Sequence, residues 1–404
     1  MSLNRREFIQ LSGGCAALSL LPQVAFSKAK TSSKTFVAIF LRGGMDGLSL
    51  FVPYQEKKYY DYRKQTAIQK PGTTNGCLKL DGNFGLNPRA KALENILKNN
   101  AMSVLQAVGY DQNSRSHFKE QDIWETGTLK DYIRSDGWMN RYLSTTKGDG
   151  VVRGLSMSDN LPRILRGESQ TISIRSLKDL MIGKDDSVAS ASLRGAYGTE
   201  DKSLVTKAGE NMLKGMKDLG ELLKGQAETK IKYPQGALGT RLKDVAKMIK
   251  AKIGLEMVEI DVPGWDTHRG QGSINGAFGN NVEGLSESLW AFYQDLEKQM
   301  DDVSVLVFSE FGRTAKENGT GGTDHGWGNC MLTMGSTIPK KKKSDGYFFG
   351  EWPGLNEDQL NQKRDLKNKI DFRDVFGEIL TKHLNYKTPE LLFKDHKFKP
   401  LNFL

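Results

Sequence analysis

Cysteine is scarce, with three in 404 residues. That is too few for a disulfide framework to hold the fold together. Proline, 11 in all, nowhere gathers into a stiff linker, and neither an internal repeat nor a low-complexity tract is present. No apolar run reaches the roughly 18–20 residues that cross a bilayer, so a stable membrane span is excluded. Histidine occurs five times, which makes the place of each one informative. What remains is ordinary for a folded protein. With glycine counted and tyrosine left out, the apolar set is roughly 46% of the chain, inside the ~45–50% of globular proteins. A disordered tail protein does not have this composition.

The one long apolar stretch, LSGGCAALSLLPQVAF at 11–26, is short, interrupted by glycines and a proline, and lies directly behind Arg5 and Arg6. This reads as an export signal. NRREFIQ resembles a twin-arginine signal, and Ala25-Phe26-Ser27 supplies small residues for cleavage before Lys28. The expected organisation is a signal at 1–27 and an α/β domain at 28–404, handled by the twin-arginine export machinery and working in the periplasm or outside the cell. Two cysteines, Cys77 and Cys330, then remain and are expected as free thiols. The full chain carries a formal +10, and loss of the signal leaves about +9, which suits an anionic partner. The four lysines at 340–343 have no interleaved aromatics and read as a solvated loop, so nucleic acid is not an expected partner.

Continuous β-branched and apolar runs occur at 35–41, 101–108, 254–262 and 303–308, with a fifth at 329–335. Runs of this kind suit strands buried on both faces. Between them, Leu238, Leu242, Val245 and Ile249 recur at helical spacing, as do Val282, Leu285, Leu289, Phe292 and Leu296. Asp371 is placed to cap a helix carrying Phe372, Val375, Phe376, Ile379 and Leu380. The alternation predicts a mostly parallel central sheet with helices on both faces. Residues 160–235, lysine-rich and weakly patterned, read as an insertion or cap with a helix near 212–223.

Each of the first four runs is followed by a short polar segment: RGGMDGLS, DQNSRSHF, PGWDTH and SEFGRT; GTGGTDHGWGN comes soon after the last. Ligands of open α/β sheets bind beyond the carboxyl ends of the strands, so these loops are expected to converge. Three of the five histidines, His117, His268 and His325, fall in them, beside Asp46, Asp266, Glu310 and Asp324. Imidazoles with carboxylates suit a divalent ion, zinc first, with manganese, calcium or magnesium also fitting. Taken singly, each histidine also reads as a hydrogen-bonded loop residue, Asp46 as an Asx-turn residue, and Glu310 as a helix-start residue paired with Arg313. Ser116, with Ser114 as second choice, lies at the start of a helix where a hydroxyl can attack phosphorus or sulfur. Either serine can instead be a helix cap. Arg115 and Arg313 can clamp an ester oxygen or pair with carboxylates.

In order, NRREF, FLRGGMDGLS, SRSHF, GWDTH, SEFGRT and GTDHGWGN resemble the secreted bacterial domain-of-unknown-function 1501 family, over residues 35–395. That family looks like a distant branch of the alkaline phosphatase and sulfatase superfamily, and the resemblance implies a metal-dependent hydrolase fold without a named substrate. Residue by residue, it implies a metal-binding role for Asp46, a nucleophile at Ser116 or Ser114, ligands at Asp266 and His268, a later carboxylate at Glu310, and a final ligand region at Asp324 and His325. Two departures stand out. The first pair is Asp-x-His instead of Asp-x-x-x-His, and Glu310-Phe311 replaces an expected Asp-His, so one metal, two or none stays open. The expectation is a metal-dependent hydrolase of small or polymeric phosphate or sulfate esters. Its catalytic residues would be Ser116, Glu310 and Arg313, and its ligands Asp46, Asp266, His268, Glu310, Asp324 and His325. The alternatives are a non-catalytic binding protein for a polyanion or carbohydrate using the same crevice, and a metal-free Ser–His–Asp esterase. The esterase is disfavoured by the absence of a GxSxG elbow.

Overall fold

The structure, a computed structural model, describes residues 34–133, 135–150, 152–180, 219–335 and 346–404. The expected export signal, half of the expected insertion and the four-lysine run lie outside the described residues. In chain order, the elements that build the site are β1 (Thr35–Leu41), α1 (Lys91–Lys98), β2 (Met102–Gly109), α2 (His117–Thr126), α3 (Trp138–Thr145), β3 (Gly154–Ser156), β4 (Ile172–Ser173), α4 (Ala237–Lys250), β5 (Met257–Val262), α5 (Ala277–Leu296), β6 (Val303–Phe308), β7 (Arg313–Glu317), β8 (Thr323–His325), β9 (Asn329–Gly335), β10 (Phe348–Phe349), β11 (Ile370–Asp371) and α6 (Phe372–Glu378).

The central sheet runs β10-β2-β9-β6-β1-β5-β3-β4, with β11 also paired to β2. β1 is parallel to both β5 and β6, and all seven of its residues are buried. Its side chains alternate between two cores. Val37, Ile39 and Leu41 pack with α1, α4 and α5, whereas Phe36, Ala38 and Phe40 pack with Trp124, Trp138, Phe372 and Phe376 from α2, α3 and α6. A strand covered on both faces has no polar side to show, which is why the run is unbroken. The predicted mostly parallel sheet with helices on both faces is thus present, with one antiparallel member. β9 pairs antiparallel with both β2 and β6, because the chain from β6 returns through the short β7–β8 excursion without a crossover helix.

The five apolar positions of α5 are all buried, and in α4 Leu238, Leu242 and Val245 are buried while Ile249 is only half-buried. Asp371 caps α6 by accepting from the Arg373 N–H. Ile379 and Leu380 then continue as a π-helical turn, Ile379–His383. Within the region expected as an insertion, β4 pairs with β3 at the edge of the main sheet, and 219–224 is helical. Cys77 and Cys330 are buried free thiols. Burial pushes the Cys330 thiol up to about 12. Among the described residues no helix is long and apolar enough to cross a membrane.

The π-turn ends on His383, fully buried, with Nε2 donating to the Thr35 carbonyl at 3.1 Å and Nδ1 without a partner. Burial lowers its pKa from 6.5 to about 4, against the smaller opposing effect of the Thr35 hydrogen bond. Between these values the unfolded chain binds a proton that the folded chain refuses, so stability falls as pH drops from 6.5 towards 4. At pH 5 this one group should cost about 2 kcal/mol relative to neutral pH. In His383→Gln, which keeps a donor for Thr35, urea midpoints should depend less on pH over this window. Parallel curves for the two proteins would remove His383 as the cause.

Candidate metal centre

Three loops that leave the carboxyl ends of β1, β2 and β5 meet the turn after β6 and the β7–β8 hairpin. After β1, Gly43 and Gly44 adopt φ of +123° and +72°, and a Cβ on Gly43 would sit 2.4 Å from the Asp266 nitrogen. Only glycine allows both the backbone conformation and this approach. The turn aims the N–H groups of Gly43 and Gly44 at the Glu310 carboxylate, at 3.0–3.2 Å. After β2, the Asn113 side chain accepts from the Arg115 N–H and Arg115 is left-handed, φ +59°. That brings the Arg115 carbonyl to His325 and starts α2 at His117.

The three imidazoles are arranged alike. His117 Nδ1 meets Glu310 Oε1 at 2.8 Å, His268 Nδ1 meets Asp324 Oδ1 at 3.0 Å, and His325 Nδ1 meets the Arg115 carbonyl at 2.7 Å. Each Nδ1 faces an acceptor, and with the proton held there each Nε2 lone pair is free. All three Nε2 atoms turn towards Asp266. His268 and His325 lie 3.1 and 3.2 Å from Asp266 Oδ1, and His117 lies 3.4 Å from Oδ2. His268 Nε2 and His325 Nε2 are 2.9 Å apart, and His117 Nε2 is buried without a partner. Facing lone pairs at this distance repel one another unless a cation or a proton lies between them.

A cation fits these residues. Tetrahedral bonds of ~2.0–2.1 Å put neighbouring donor atoms about 3.3 Å apart, close to the 2.9–3.4 Å found. The atoms offered by His117, Asp266 and His325 all lie within 4.8 Å of one another, and His268 Nε2 adjoins those of Asp266 and His325. Nitrogen with one carboxylate oxygen is a donor set for zinc and its neighbours. Hydrogen-bonded carboxylates and carbonyls behind the imidazoles are the usual support for such a set. Phe311 packs 4.9 Å from the His117 ring and 4.8 Å from the His325 ring, giving the centre one apolar wall. The side chains of Asp266 and His268 remain 46% and 39% exposed, so a ligand can approach from that side.

Electrostatics keeps the carboxylates charged. Burial pushes Asp266 upward, but the Arg313 hydrogen bond and charge, with His268 and His117, outweigh it and hold it at about 2. Burial likewise raises Glu310, and the hydrogen bonds from His117 and Gln121 more than reverse it. The Glu310 bond raises His117 in turn, whereas burial lowers His325.

Of the residues singled out from sequence, Asp266, His268 and His325 are brought together, with Glu310 and Asp324 behind the imidazoles. Asp46 stands apart. Its two oxygens accept from Arg63 at 2.6 and 3.0 Å, and also from Ser49 at 2.7 Å and Gln271 at 2.6 Å. Both partners of the ion pair are fully buried. Arg313, fully buried as well, donates to the carbonyls of Gly43, Gly44, Trp265 and Thr323 and to Asp266. It ties the loops together from this fully buried position. Arg115 donates through Nε and Nη2 to Asp365 and Gln362. Ser114 donates to Glu120. Ser116 is exposed, and its side chain makes no capping bond.

Sequence reasoning singled out His117 but left it outside the ligand set, and it missed Gln121, which donates to Glu310 at 2.8 Å. The signal was available, since His117 and Gln121 are four residues apart at the start of one helix and so share a face. Nothing local pointed to Arg63.

No curated protein matches this chain. Among solved structures it is similar to the C-terminal periplasmic domain of EcEptC from Escherichia coli in complex with Zn, at 10% identity and a TM-score of 0.36, covering 78% of this chain and 77% of that one. A second structure of the same domain gives 9% identity and a TM-score of 0.37, covering 94% and 92%. A family model described as "Protein of unknown function (DUF1501)" matches residues 102–387. That span is well over half of the 404 residues and takes in every side chain of the candidate centre, and the chain therefore belongs to this family.

Proposed function

We propose that this protein is an exported, divalent-metal-dependent hydrolase of phosphate or sulfate esters. The carrying observation is the convergence of three imidazole Nε2 atoms on Asp266, each ring fixed through Nδ1 by a separate acceptor. His117, Asp266, His268 and His325 would hold the ion, zinc by preference of the donor set. When bound, such an ion supplies Lewis acidity towards an ester oxygen and stabilises charge on the leaving group. Glu310, Asp324 and the Arg115 carbonyl keep the imidazoles aimed by holding Nδ1. Ser116, with a hydroxyl not spent on capping α2, is the nucleophile of this reading. The positive end of the ten-residue α2 favours an anionic substrate there. The export part rests on NRREFIQ and the small residues before Lys28.

The test is a panel of aryl phosphates and sulfates on protein purified without chelator. Turnover is expected in the wild type and should fall at least about a thousand-fold in Ser116→Ala at unchanged metal content. Undiminished turnover in the variant would remove Ser116 from the role. A loaded centre without turnover on any ester would instead favour the non-catalytic binding protein.

A further inference from the structure

Three large apolar side chains stand well exposed among the described residues: Phe118 at 88%, Ile133 at 68% and Leu391 at 56%. They come from three segments that touch. Arg163 pairs with Asp122 of α2 and donates to the carbonyls of Tyr132 and Ile133, and Lys119 lies over the Tyr132 ring. Ile133 is thereby held alongside the first turns of α2, where Phe118 stands. Asp395 accepts from the N–H groups of Leu129 and Lys130 and from the Thr128 hydroxyl, which fastens the segment carrying Leu391 to the same loop.

Lys119, Lys130, Lys394 and Lys397 are exposed around these side chains, and no carboxylate engages them in an ion pair among the described residues. The exposed acids of the same segments are Asp131 and Glu390. Asp122 and Asp395 are spent on Arg163 and Arg373. The patch is therefore net positive. Scattered exposed apolar residues are unremarkable, but the three among the described residues come from segments tied to one another by these contacts. Protein interfaces are depleted in lysine at their core, whereas apolar tips among unpaired lysines match what binds the headgroup region of an anionic bilayer.

We infer that this face docks the protein on an anionic lipid surface, with Phe118, Ile133 and Leu391 inserting between headgroups and the lysines meeting lipid phosphates. Phe118 directly follows His117, so docking brings the candidate centre's helix start close to the membrane. The inference is independent of the reaction proposed above, because lipid binding is read without turnover.

The test uses the chain without residues 1–27, whose apolar run would itself bind lipid, sedimented with vesicles of phosphatidylcholine alone or mixed equally with phosphatidylglycerol. Binding to the mixed vesicles should be at least tenfold tighter and should weaken with salt. The triple variant Phe118→Ser, Ile133→Ser, Leu391→Ser should lose at least tenfold on mixed vesicles, with unchanged melting temperature and metal content. Because those changes touch apolar groups, Lys119→Glu with Lys130→Glu serves as a second variant and should also lose at least tenfold. Equal binding of the wild type to both vesicle types, or wild-type binding by both variants, would overturn the inference.

Discussion

Purified without chelator, the wild-type chain should carry about one equivalent of a divalent transition metal, and His325→Ala should carry less than about a tenth of that. His325 is the hub of the cluster. Its Nε2 lies 2.9 Å from His268 Nε2 and 3.2 Å from Asp266 Oδ1, and its ring centre is 4.2 Å from that of His117. Loss of an outer hydrogen-bonding partner alone typically weakens a metal site 10–100-fold, so loss of the hub ligand should exceed about 100-fold. Asp324→Ala provides the graded control. It removes only the acceptor behind His268 and an Asn318 contact, and should weaken metal affinity about tenfold. Because the metal binds the folded chain, its removal should also lower the melting temperature of the wild type and leave that of His325→Ala nearly unchanged. Elemental analysis and competition with a chromogenic chelator read both effects. A wild type without metal, or His325→Ala loaded like the wild type, would refute the arrangement.

How much of this was legible beforehand depends on what each residue responds to. β1, β6 and β9 coincide with apolar runs read directly from the sequence, because burial on both faces forces nearly every side chain to be apolar. An apolar run carries no direction, however, so β9 gave no sign of being antiparallel. Convergence of the loops followed from strand polarity alone. The division between inner and outer positions did not. Asp266, Glu310 and Asp324 are chemically alike, and Glu310 is set behind His117 because the Gly43 and Gly44 N–H groups and Gln121 hold it there. Those are contacts between residues more than 180 apart in sequence. Asp46 is the sharpest case. Its position after β1 fits a metal ligand, and its actual partner comes from a short helix, Lys57–Tyr62, whose following residue, Arg63, has no motif around it.

That pairing sets the second large effect. Arg63→Met should destabilise the protein by about 3–5 kcal/mol, because it leaves the Asp46 carboxylate buried without its counter-charge. Arg63 spends Nη1 and Nη2 on Asp46, and Nε and Nη2 on the carbonyls of Ala315 and Thr314. Although burial opposes it, the guanidinium beside Asp46 holds the acid below the usual carboxylate range. Replacing both partners by apolar groups of similar size, Asp46→Leu with Arg63→Met, removes the stranded charge and should recover most of the loss. The same double variant speaks to the number of metals. With both Asp46 oxygens engaged by Arg63, Ser49 and Gln271, a guanidinium already supplies the positive charge that a second ion would bring. The double variant should therefore bind the same single equivalent of metal as the wild type. If its metal content fell instead, Asp46 would have to be counted among the ligands and the Arg63 pair would belong to the metal-free state alone.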